Sequence, residues 1–425
     1  MSDLPLRPAS SEDTDFDPSI ASSPCDIAAV PSLLADISFL RASFDVSTNR
    51  DARLHLLDKA RALVRSLETP RETMLKHVGA ETACFFSLAL GVDVGLFTAL
   101  AKGDTPKSVN ELAGTIGFDV DGLSRILRHL AAMGYIVQTG KDEYKSNNFS
   151  KAMTIPIVAD GYPFYRSVCI APMLHLHKWL ATKDYATPTT GRDNPFTFGN
   201  QTSQTMFEYL AAFPPFNEQF NHHMGGYRLG RPSWFDPAVY PVSDALLGND
   251  IKADDVLLVD IGGNMGHDLT RFRAAFPDAP GRLILQDQAS VIEAGPAKAL
   301  AEQGIEGMPH DFFTEQPVRG ARAYYLHHIL HDWPDDKCEV IVKMIKSAMV
   351  PGKSKLLINE HVIPSVGASW EATYLDLYMM ILFGSRERTE QDWKGLLEGK
   401  CGLKITRIYN PGNGVEGIIE CEVPV

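Results

Sequence analysis

A glycine-rich turn that follows a short apolar run is the part of the chain best suited to bind a cofactor. Residues 257–266 read Leu-Leu-Val-Asp-Ile-Gly-Gly-Asn-Met-Gly, with Asp260, Gly262, Gly263 and Gly266 at the end of the run or just after it. Glycine lets a backbone come close to a ligand. The turn matches neither G-x-G-x-x-G nor a Gly-Lys-Ser/Thr phosphate loop, so it favours a nucleoside cofactor without phosphates over NAD or ATP.

The acidic residue Asp287 strengthens this interpretation. It follows the next apolar run, residues 282–286, where a carboxylate can accept hydrogen bonds from ribose hydroxyls. Asp311 lies before the third run, and its carboxylate could accept from an adenine amino group while Phe312 packs on the ring. Two glycines alone would indicate a turn of no special function, but the order of strand, loop, helix, strand and acid favours a cofactor site.

His331 is the side chain best placed to move protons. It lies in the stretch His-His-Ile-Leu-His-Asp-Trp-Pro, residues 327–334, and imidazole titrates near neutral pH. The alternatives are a hydrogen-bonded loop histidine and a metal ligand, because three histidines occur within five residues. Adjacent residues point in different directions and no Cys or second His cluster completes a shell, so no metal is expected.

Two glutamates are further candidates. Glu360 follows the apolar run 356–359, and Glu387 stands within Gly-Ser-Arg-Glu-Arg-Thr, residues 384–389. The arginines on either side of Glu387 favour a surface ion pair when only the local residues are considered.

These groups follow the apolar runs of a predicted α/β sheet. From about residue 255 to the end of the chain, apolar runs alternate with helical stretches, which is typical of a doubly wound parallel sheet. Ligands bind beyond the carboxyl ends of the strands in such sheets, so the groups described above are expected at one edge. The four runs are 256–260, 282–286, 322–326 and 355–359.

Composition and periodicity divide the chain into four predicted segments. Residues 1–24 are rich in Ser, Asp and Pro and are predicted to form a disordered tail. Residues 25–153 have helical spacing and then a helix, turn, helix and hairpin pattern typical of a winged helix. Residues 154–250 are predicted to form a helical linker that helps to wall a substrate pocket, and residues 251–425 contain the sheet.

The winged-helix pattern makes DNA binding an alternative to a packing role. Its second helix offers only Arg125, Arg128 and His129 as basic groups, and the chain has 40 Lys and Arg against 53 Asp and Glu. The resulting net charge of −13 repels phosphate backbones, so packing is favoured over nucleic-acid binding. N-terminal helices without a partner domain often pack on another subunit, so a homodimer is expected.

No membrane attachment is expected either. The N-terminus lacks a basic region followed by an apolar stretch, and no apolar run is long enough to span a bilayer. Six cysteines are scattered along the chain, which favours reduced thiols in a cytoplasmic protein. An organic substrate pocket is expected to be lined by aromatic and methionine side chains. The candidates for this lining are Phe216, Phe220, Met224, Trp333, Met379 and Met380.

From about residue 70 onward the chain resembles the class I S-adenosylmethionine-dependent O-methyltransferases of the plant caffeate and flavonoid type, in particular their fungal secondary-metabolism relatives. The resemblance implies a Rossmann-like methyltransferase domain after an all-helical, winged-helix-like dimerisation domain. It rests on five ordered motifs: Val-Asp-Ile-Gly-Gly-Asn-Met-Gly-His-Asp (259–268), Leu-Gln-Asp (285–287), His-Asp-Phe-Phe (310–313), Ile-Leu-His-Asp-Trp-Pro-Asp-Asp-Lys-Cys (329–338) and Arg-Glu-Arg-Thr (386–389).

The resemblance also implies a cofactor, S-adenosyl-L-methionine, and a dimerisation role for the winged-helix-like region in place of DNA binding. Four positions depart from the family pattern. Asn264 replaces a glycine, His327 stands where relatives usually carry Arg or Lys, and Gln288-Ala289 replaces Leu-Pro. The implied cofactor-binding residues are Asp260, Gly262, Gly263, Gly266, Asp287, Asp311, Phe312 and His327.

The implied reaction is methyl transfer to a phenolic or enolic hydroxyl of an aromatic or polyketide-type secondary metabolite. His331 would be the general base, and Glu360 and Glu387 would flank and orient its imidazole. The first alternative is a pericyclase or cyclase on the same fold, which would bind the cofactor but catalyse dehydration or cycloaddition without methyl transfer. The second is a catalytically silent winged-helix regulator.

Overall fold

The computed structural model describes residues 17–45, 48–227, 229–248, 250–294, 300–412 and 414–425. These residues form two compact units. The first comprises the described residues up to Val168 together with Pro214–Tyr227. The second comprises the described residues of Cys169–Phe213 and Arg228–Val425.

The first unit is mainly helical, and side-chain caps define several of its helix starts. The Asn49 side chain accepts a hydrogen bond from the Ala52 amide, and Thr69 forms a reciprocal capping box with Glu72. Such caps satisfy amides that have no partner within the first helical turn. The helices are α1 (Val30–Ser43), α2 (Arg50–Leu67), α3 (Pro70–Leu75), α4 (Thr82–Asp93), α5 (Leu96–Ala101), α6 (Val109–Ile116), α7 (Val120–Ala132), α8 (Asn148–Ala152), α9 (Pro156–Ala159), α10 (Gly161–Phe164) and, later in the chain, α14 (Phe216–Tyr227).

The winged-helix pattern is present in this unit. The Ser108 hydroxyl caps α6 by accepting from the Glu111 amide at 3.2 Å, and α7 buries Leu123, Leu127 and Leu130. The strands pair antiparallel in the order β1-β3-β2. They are β1 (Lys107–Ser108), β2 (Val137–Gly140) and β3 (Glu143–Lys145).

The second unit contains a mixed sheet whose parallel part confirms the doubly wound prediction. Its strands are β4 (Val256–Ile261), β5 (Arg282–Asp287), β6 (Ile305–Pro309), β7 (Ala323–His327), β8 (Lys355–Glu360), β11 (Lys404–Tyr409) and β12 (Gly417–Glu422), and a separate parallel pair is formed by β9 (Val362–Ile363) and β10 (Arg388–Thr389). Among the described residues, the strand order of the sheet is β11-β12-β8-β7-β4-β5-β6. Neighbours from β8 to β6 pair in parallel, whereas β12 runs antiparallel to β8 and β11.

Both faces of this sheet are buried. In β7, Tyr324 and Leu326 belong to one hydrophobic core, and Ala323 and Tyr325 belong to another. This alternation is expected for a sheet with helices on both faces. The helices of the second unit are α11 (Ile170–Thr182), α12 (Pro195–Gly199), α13 (Met206–Ala212), α15 (Val242–Ala245), α16 (His267–Ala275), α17 (Ala289–Ala294), α18 (Asp335–Lys346), α19 (Trp370–Tyr378) and α20 (Glu390–Lys394).

The structure differs from the sequence-based segments in three places. Residues 1–16 of the predicted tail lie outside the described residues, but Pro18–Ser22 forms a 3₁₀ turn capped by Asp17. The predicted region 154–250 is divided between the two units. The predicted parallel sheet did not include the antiparallel strands β11 and β12. No helix in the described ranges has both the length and the apolar character that a membrane span requires.

Candidate active site

The carboxyl ends of the parallel strands bring the predicted cofactor residues to one edge of the sheet. The last residue of β5, Asp287, is the register partner of Pro309 at the end of β6. The amide of His310 donates to the Asp287 carbonyl at 2.9 Å, so the segment that carries Asp311 begins beside the Asp287 backbone. The glycine loop follows β4 in the middle of the same edge.

The loop after β4 has room for backbone only. Gly262 has a φ of 75°, and a Cβ at this position would lie 2.5 Å from the Ile329 side chain. A Cβ on Gly263 would lie 2.4 Å from the Asp260 carboxylate. Asp260 is itself 1% exposed, so its carboxylate lies beneath the loop backbone. These contacts explain why glycine is required at positions 262 and 263.

Asp287 fits the ribose-binding role that the sequence predicts. One carboxylate oxygen accepts from the Asn264 amide at 2.8 Å, and the other accepts from the Gln288 amide at 2.7 Å. An ionised carboxylate offers about four acceptor positions, so about two are left for vicinal hydroxyls. Burial raises the pKa of Asp287, and the two amides oppose that effect.

The departure at Asn264 preserves the shape of the loop. Its φ of 49° lies in the left-handed region, which asparagine tolerates better than most side chains. Its amide is the one that binds Asp287, so the loop and the acidic residue are joined directly. Gly266 starts α16, and a Cβ there would lie 3.0 Å from Leu300.

We expect Gly263→Ala to weaken cofactor binding by about tenfold or more, because the added methyl group must displace the loop from Asp260 and Leu285. Gly399→Ala is the matched control, since nothing lies within 4 Å of its added Cβ. Calorimetric titration with S-adenosylhomocysteine measures both affinities. Equal dissociation constants for Gly263→Ala and the wild type would contradict this account of the loop.

Asp311 and Phe312 follow β6, and the Phe312 ring lies beside the glycine loop. The Phe312 ring comes within 3.7 Å of the position that a Gly262 Cβ would take. Asp311 is exposed, and one of its carboxylate oxygens accepts from the Phe313 amide at 3.0 Å. The Phe312 ring thus lies next to the glycine loop. The contact of Asp311 and Phe312 with adenine stays a prediction.

His327 belongs to a buried polar network at the end of β7. Its Nδ1 lies 2.7 Å from the Asp268 carboxylate in the first turn of α16. Tyr325 donates its hydroxyl to the same carboxylate oxygen at 3.0 Å, and Asn359 donates to the Tyr325 hydroxyl at 2.8 Å. The network joins β7, β8 and the helix that follows the glycine loop.

His331 and Glu387 form a buried hydrogen-bonded pair. His331 Nδ1 lies 2.6 Å from Glu387 Oε1, and both side chains are almost inaccessible to solvent. Since the carboxylate accepts, Nδ1 carries a hydrogen, and the neutral ring has its lone pair on Nε2. The surface ion pair that the local residues favour for Glu387 is therefore wrong, because Glu387 is buried against His331. The orienting role that the family resemblance implies for Glu387 stays a prediction.

Glu387 is buried because its neighbours anchor the segment. Arg388 in β10 pairs with Val362 in β9, directly after β8. The Arg388 guanidinium donates to the carbonyls of Leu330 and Trp333 at 2.8 and 2.9 Å. It also forms an ion pair with Asp335 at 2.9 Å. Arg388 thereby ties the Glu387 segment to the segment that carries His331, and its ion pair is with Asp335 rather than with Glu387.

Glu360 positions the backbone around His331. One of its carboxylate oxygens accepts from the amides of Ile329, Leu330 and His331 at 3.1, 2.6 and 3.3 Å. It therefore caps the 3₁₀ turn Leu330–Asp332. The hydrogen bonds of Glu360 go to the backbone, while Glu387 binds the ring. That Glu360 also orients the imidazole stays a prediction.

Burial and neighbouring charges shift the pKa values of His331, Asp332 and Glu360. Burial lowers the pKa of His331, but Glu387, Asp332 and Glu360 outweigh it and raise that pKa to about 10. Burial raises the pKa of Asp332 to about 7, and its carboxylate lies 3.5 Å from His331 Nε2. Burial also raises the pKa of Glu360. Without substrate, the imidazole of His331 is therefore in its protonated, cationic form at neutral pH. It becomes a base after it has released one proton.

His331, Glu360 and Glu387 are also the group of potential metal ligands that the described residues bring together. Their ligand atoms lie within 4.8 Å of one another. Nδ1 of His331 and one oxygen of Glu360 are already engaged in the hydrogen bonds described above. The arrangement suits proton transfer, and the expectation of a metal-free site stays a prediction.

The predicted substrate-lining residues fall in both units. Phe216, Phe220 and Met224 lie on α14 in the first unit, where the Phe220 ring packs 5.6 Å from that of Phe164. In the second unit, the Trp333 ring contacts Phe313 edge-on at 4.8 Å. Met379 and Met380 begin a π-helical turn after α19. That the two sets line one pocket stays a prediction.

Comparisons with known proteins agree with these features. The O-methyltransferase domain model matches residues 242–402, and the O-methyltransferase dimerisation domain model matches residues 83–155. The O-methyltransferase mpaG of Penicillium brevicompactum is 35% identical over 379 residues, which cover 88% of this chain and 93% of that protein. Two solved structures, of a pericyclic reaction enzyme and of LepI in complex with S-adenosylmethionine, each have a TM-score of 0.84 and 31% identity and cover 93% of this chain and 99% of theirs.

The sheet, the glycine loop and the acidic residue at the end of β5 define a class I S-adenosylmethionine-binding protein, and its cofactor is S-adenosyl-L-methionine. The chain belongs to the O-methyltransferase family and is an enzyme of that family. It carries that family's dimerisation domain in the winged-helix-like region.

Proposed function

We propose that this enzyme transfers a methyl group to a phenolic or enolic hydroxyl of a secondary metabolite, with His331 as the general base. The observation that carries the proposal is the buried 2.6 Å contact between His331 Nδ1 and Glu387, which leaves Nε2 to accept a proton. The similarity to an O-methyltransferase of Penicillium brevicompactum supports the reaction class. The substrate that we propose is a small organic molecule of the aromatic or polyketide type.

The chemistry requires a base because an un-ionised hydroxyl is a poor nucleophile. A phenol has a pKa of about 10, close to the value of about 10 to which the three carboxylates raise the pKa of His331. The raised pKa makes the deprotonated imidazole of His331 a stronger base than an unperturbed histidine. A positioned base typically contributes roughly 10²–10⁴-fold to the rate. The bound cofactor supplies the electrophilic methyl group.

The surrounding residues hold the base and the substrate in place. Glu387 fixes the tautomer of His331 and stabilises the imidazolium that forms, while Glu360 fixes the backbone turn that carries the ring. Holding the hydroxyl oxygen and the methyl group in line can supply roughly 7–11 kcal/mol of the barrier. We assign this positioning to the predicted lining residues Phe216, Phe220, Met224, Trp333, Met379 and Met380.

The cofactor contacts that we propose follow the geometry of the loop. The backbone at Gly262, Gly263 and Gly266 admits the cofactor closely, and Asp287 binds the ribose hydroxyls. Asp311 and Phe312 bind adenine. Asp260 acts from beneath the loop, and His327 acts through its network with Asp268. We further propose that the dimerisation domain makes the enzyme a homodimer.

A pericyclase is the second candidate function, favoured by the likeness to the structure of a pericyclic reaction enzyme. Such an enzyme would bind the same cofactor and release a product without a new methyl group. The intact set of His331, Glu360 and Glu387 favours methyl transfer, since a base paired with a carboxylate is what hydroxyl activation needs.

Incubation with methyl-labelled cofactor and a panel of phenolic and enolic polyketides and alkaloids separates the two functions. We expect label in a product, stoichiometric S-adenosylhomocysteine, and unchanged turnover after treatment with EDTA. A mass-neutral or water-losing product without label would replace the methyltransferase by the pericyclase. Loss of turnover with EDTA would show that the His331 cluster requires a metal.

A further inference from the structure

A second histidine–glutamate pair lies beside the first, and the proposed mechanism does not use it. His328 Nε2 lies 3.3 Å from Glu416 Oε1, and the exposed fractions of their side chains are 7% and 6%. The ring centroids of His328 and His331 are 4.7 Å apart, with the ring planes at 66°. Glu416 therefore lies one imidazole ring away from the base.

The backbone conformation that places His328 beside His331 is unfavourable for a residue other than glycine. Its φ of 52° is in the left-handed region, although it is not a glycine. Such residues are held in place only when their surroundings determine the conformation, and they cluster at functional sites. The His328 amide donates to the Asn359 carbonyl at 3.3 Å, so the unusual turn is tied to β8 directly beside Glu360.

The antiparallel strand β12 delivers Glu416 to the same edge. Gly417, the first residue of β12, is the register partner of Glu360, the last residue of β8. Because the two strands run in opposite directions, the residue before β12 reaches the carboxyl ends of the parallel strands. Glu416 therefore enters the site from the loop between β11 and β12.

Arg231 neutralises Glu416. Its guanidinium lies 3.3 Å from the Glu416 carboxylate, donates to the Gly414 carbonyl at 2.5 Å and forms an ion pair with Glu371 at the start of α19. Burial lowers the pKa of His328 well below its usual range, whereas His328 and Arg231 overcome burial and hold the pKa of Glu416 low. The neutral His328 ring thus donates from Nε2 to an ionised carboxylate.

We propose that His328, Glu416 and Arg231 form a positioning unit for His331, in which Glu416 fixes the His328 ring and His328 holds the imidazole of the base. This role rests on the proposed function of His331 as the general base and adds the residues that position it. It also sets the charge near the base: Glu387, Asp332 and Glu360 face His331, and His327, His361 and Glu416 face His328. The charge of Glu416 favours the protonated form of His331, and the charge of Arg231 opposes it.

The charge effect can be measured without turnover. In protein labelled with ¹³C at histidine, the His331 resonance is assigned by its loss in His331→Ala, and its pKa is followed by NMR. Glu416→Gln is expected to lower that pKa by on the order of one unit, and Arg231→Met is expected to raise it. Glu420→Gln is the control, because Glu420 is a buried glutamate within β12 that is paired with Lys355 at 2.6 Å, whereas Glu416 precedes β12.

The positioning effect is measured by kinetics with whichever substrate the wild type accepts. His328→Phe keeps an aromatic ring but removes the hydrogen bond to Glu416. We expect kcat to fall about tenfold, with the affinity for S-adenosylhomocysteine unchanged. If Glu416→Gln does not fold, Arg231→Met and His328→Phe test the unit by the same two measurements.

The proposal is overturned if Glu416→Gln leaves the pKa of His331 unchanged, if Glu420→Gln shifts it equally, or if His328→Phe has wild-type kcat. A wild-type enzyme that transfers no methyl group, together with the expected NMR shifts, would instead refute the proposed function and leave the positioning unit in place.

Discussion

His331→Ala is expected to lower kcat by roughly 10²–10⁴-fold and to leave the affinity for S-adenosylmethionine nearly unchanged. The ring is buried against Glu387, and the glycine loop that receives the cofactor follows a different strand. Removing the imidazole therefore removes the proton acceptor without altering Asp287 or the loop. Steady-state methyl transfer and calorimetric titration measure the two quantities separately.

The pH dependence of the loss of activity in His331→Ala distinguishes a general base from a residue that acts in binding or folding. A phenolic substrate ionises at a pKa of about 10, so at high pH the attacking oxygen forms without a base. The deficit of His331→Ala should shrink as the pH approaches that value. His55→Ala, which changes an exposed histidine of α2, should match the wild type throughout. A deficit that stays constant with pH would mean that His331 acts in binding or folding instead.

Most of the parallel part of the sheet could be predicted because its strands have a local sequence pattern, a short apolar run. The apolar runs 256–260 and 282–286 end within one residue of β4 and β5, since strands buried on both faces are continuously apolar. Strand β6 has no such run: it reads Ile-Glu-Gly-Met-Pro, lies at the edge of the sheet and exposes part of its length. The insertion of β12 between β11 and β8 is a long-range pairing that no local pattern encodes.

A candidate site residue could be predicted from the sequence where it lies at the end of its own predicted strand. Asp287 is an example, because a strand and its final acid are adjacent in the sequence. The partner of His331 was not predictable from local residues, because 56 positions separate it from Glu387 and the flanking arginines indicated a surface. Only the family resemblance pointed to Glu387. Glu416 had no signal of either kind, since it is 88 positions from His328 and is placed by the antiparallel strand.

The Glu387→Gln variant tests the hydrogen-bonded pair of His331 and Glu387. Glutamine keeps the shape of the side chain but can donate its amide to Nδ1, which would force the hydrogen of the neutral ring onto Nε2. The nitrogen that must accept the substrate proton would then be occupied. We expect kcat/KM to fall roughly 10²–10⁴-fold at neutral pH, as for a base held in the wrong tautomer.

The same variant should also shift the pH profile of kcat/KM, which reports the free enzyme. Burial lowers the pKa of His331, and Glu387 is the largest of the charges that raise it to about 10. Only the deprotonated ring is a base, so wild-type kcat/KM should rise with pH through the neutral range. Without the Glu387 charge the pKa falls, and the rising limb moves to lower pH. A limb that moves to higher pH, or stays in place while activity drops, would show that Glu387 does not act by holding the imidazolium.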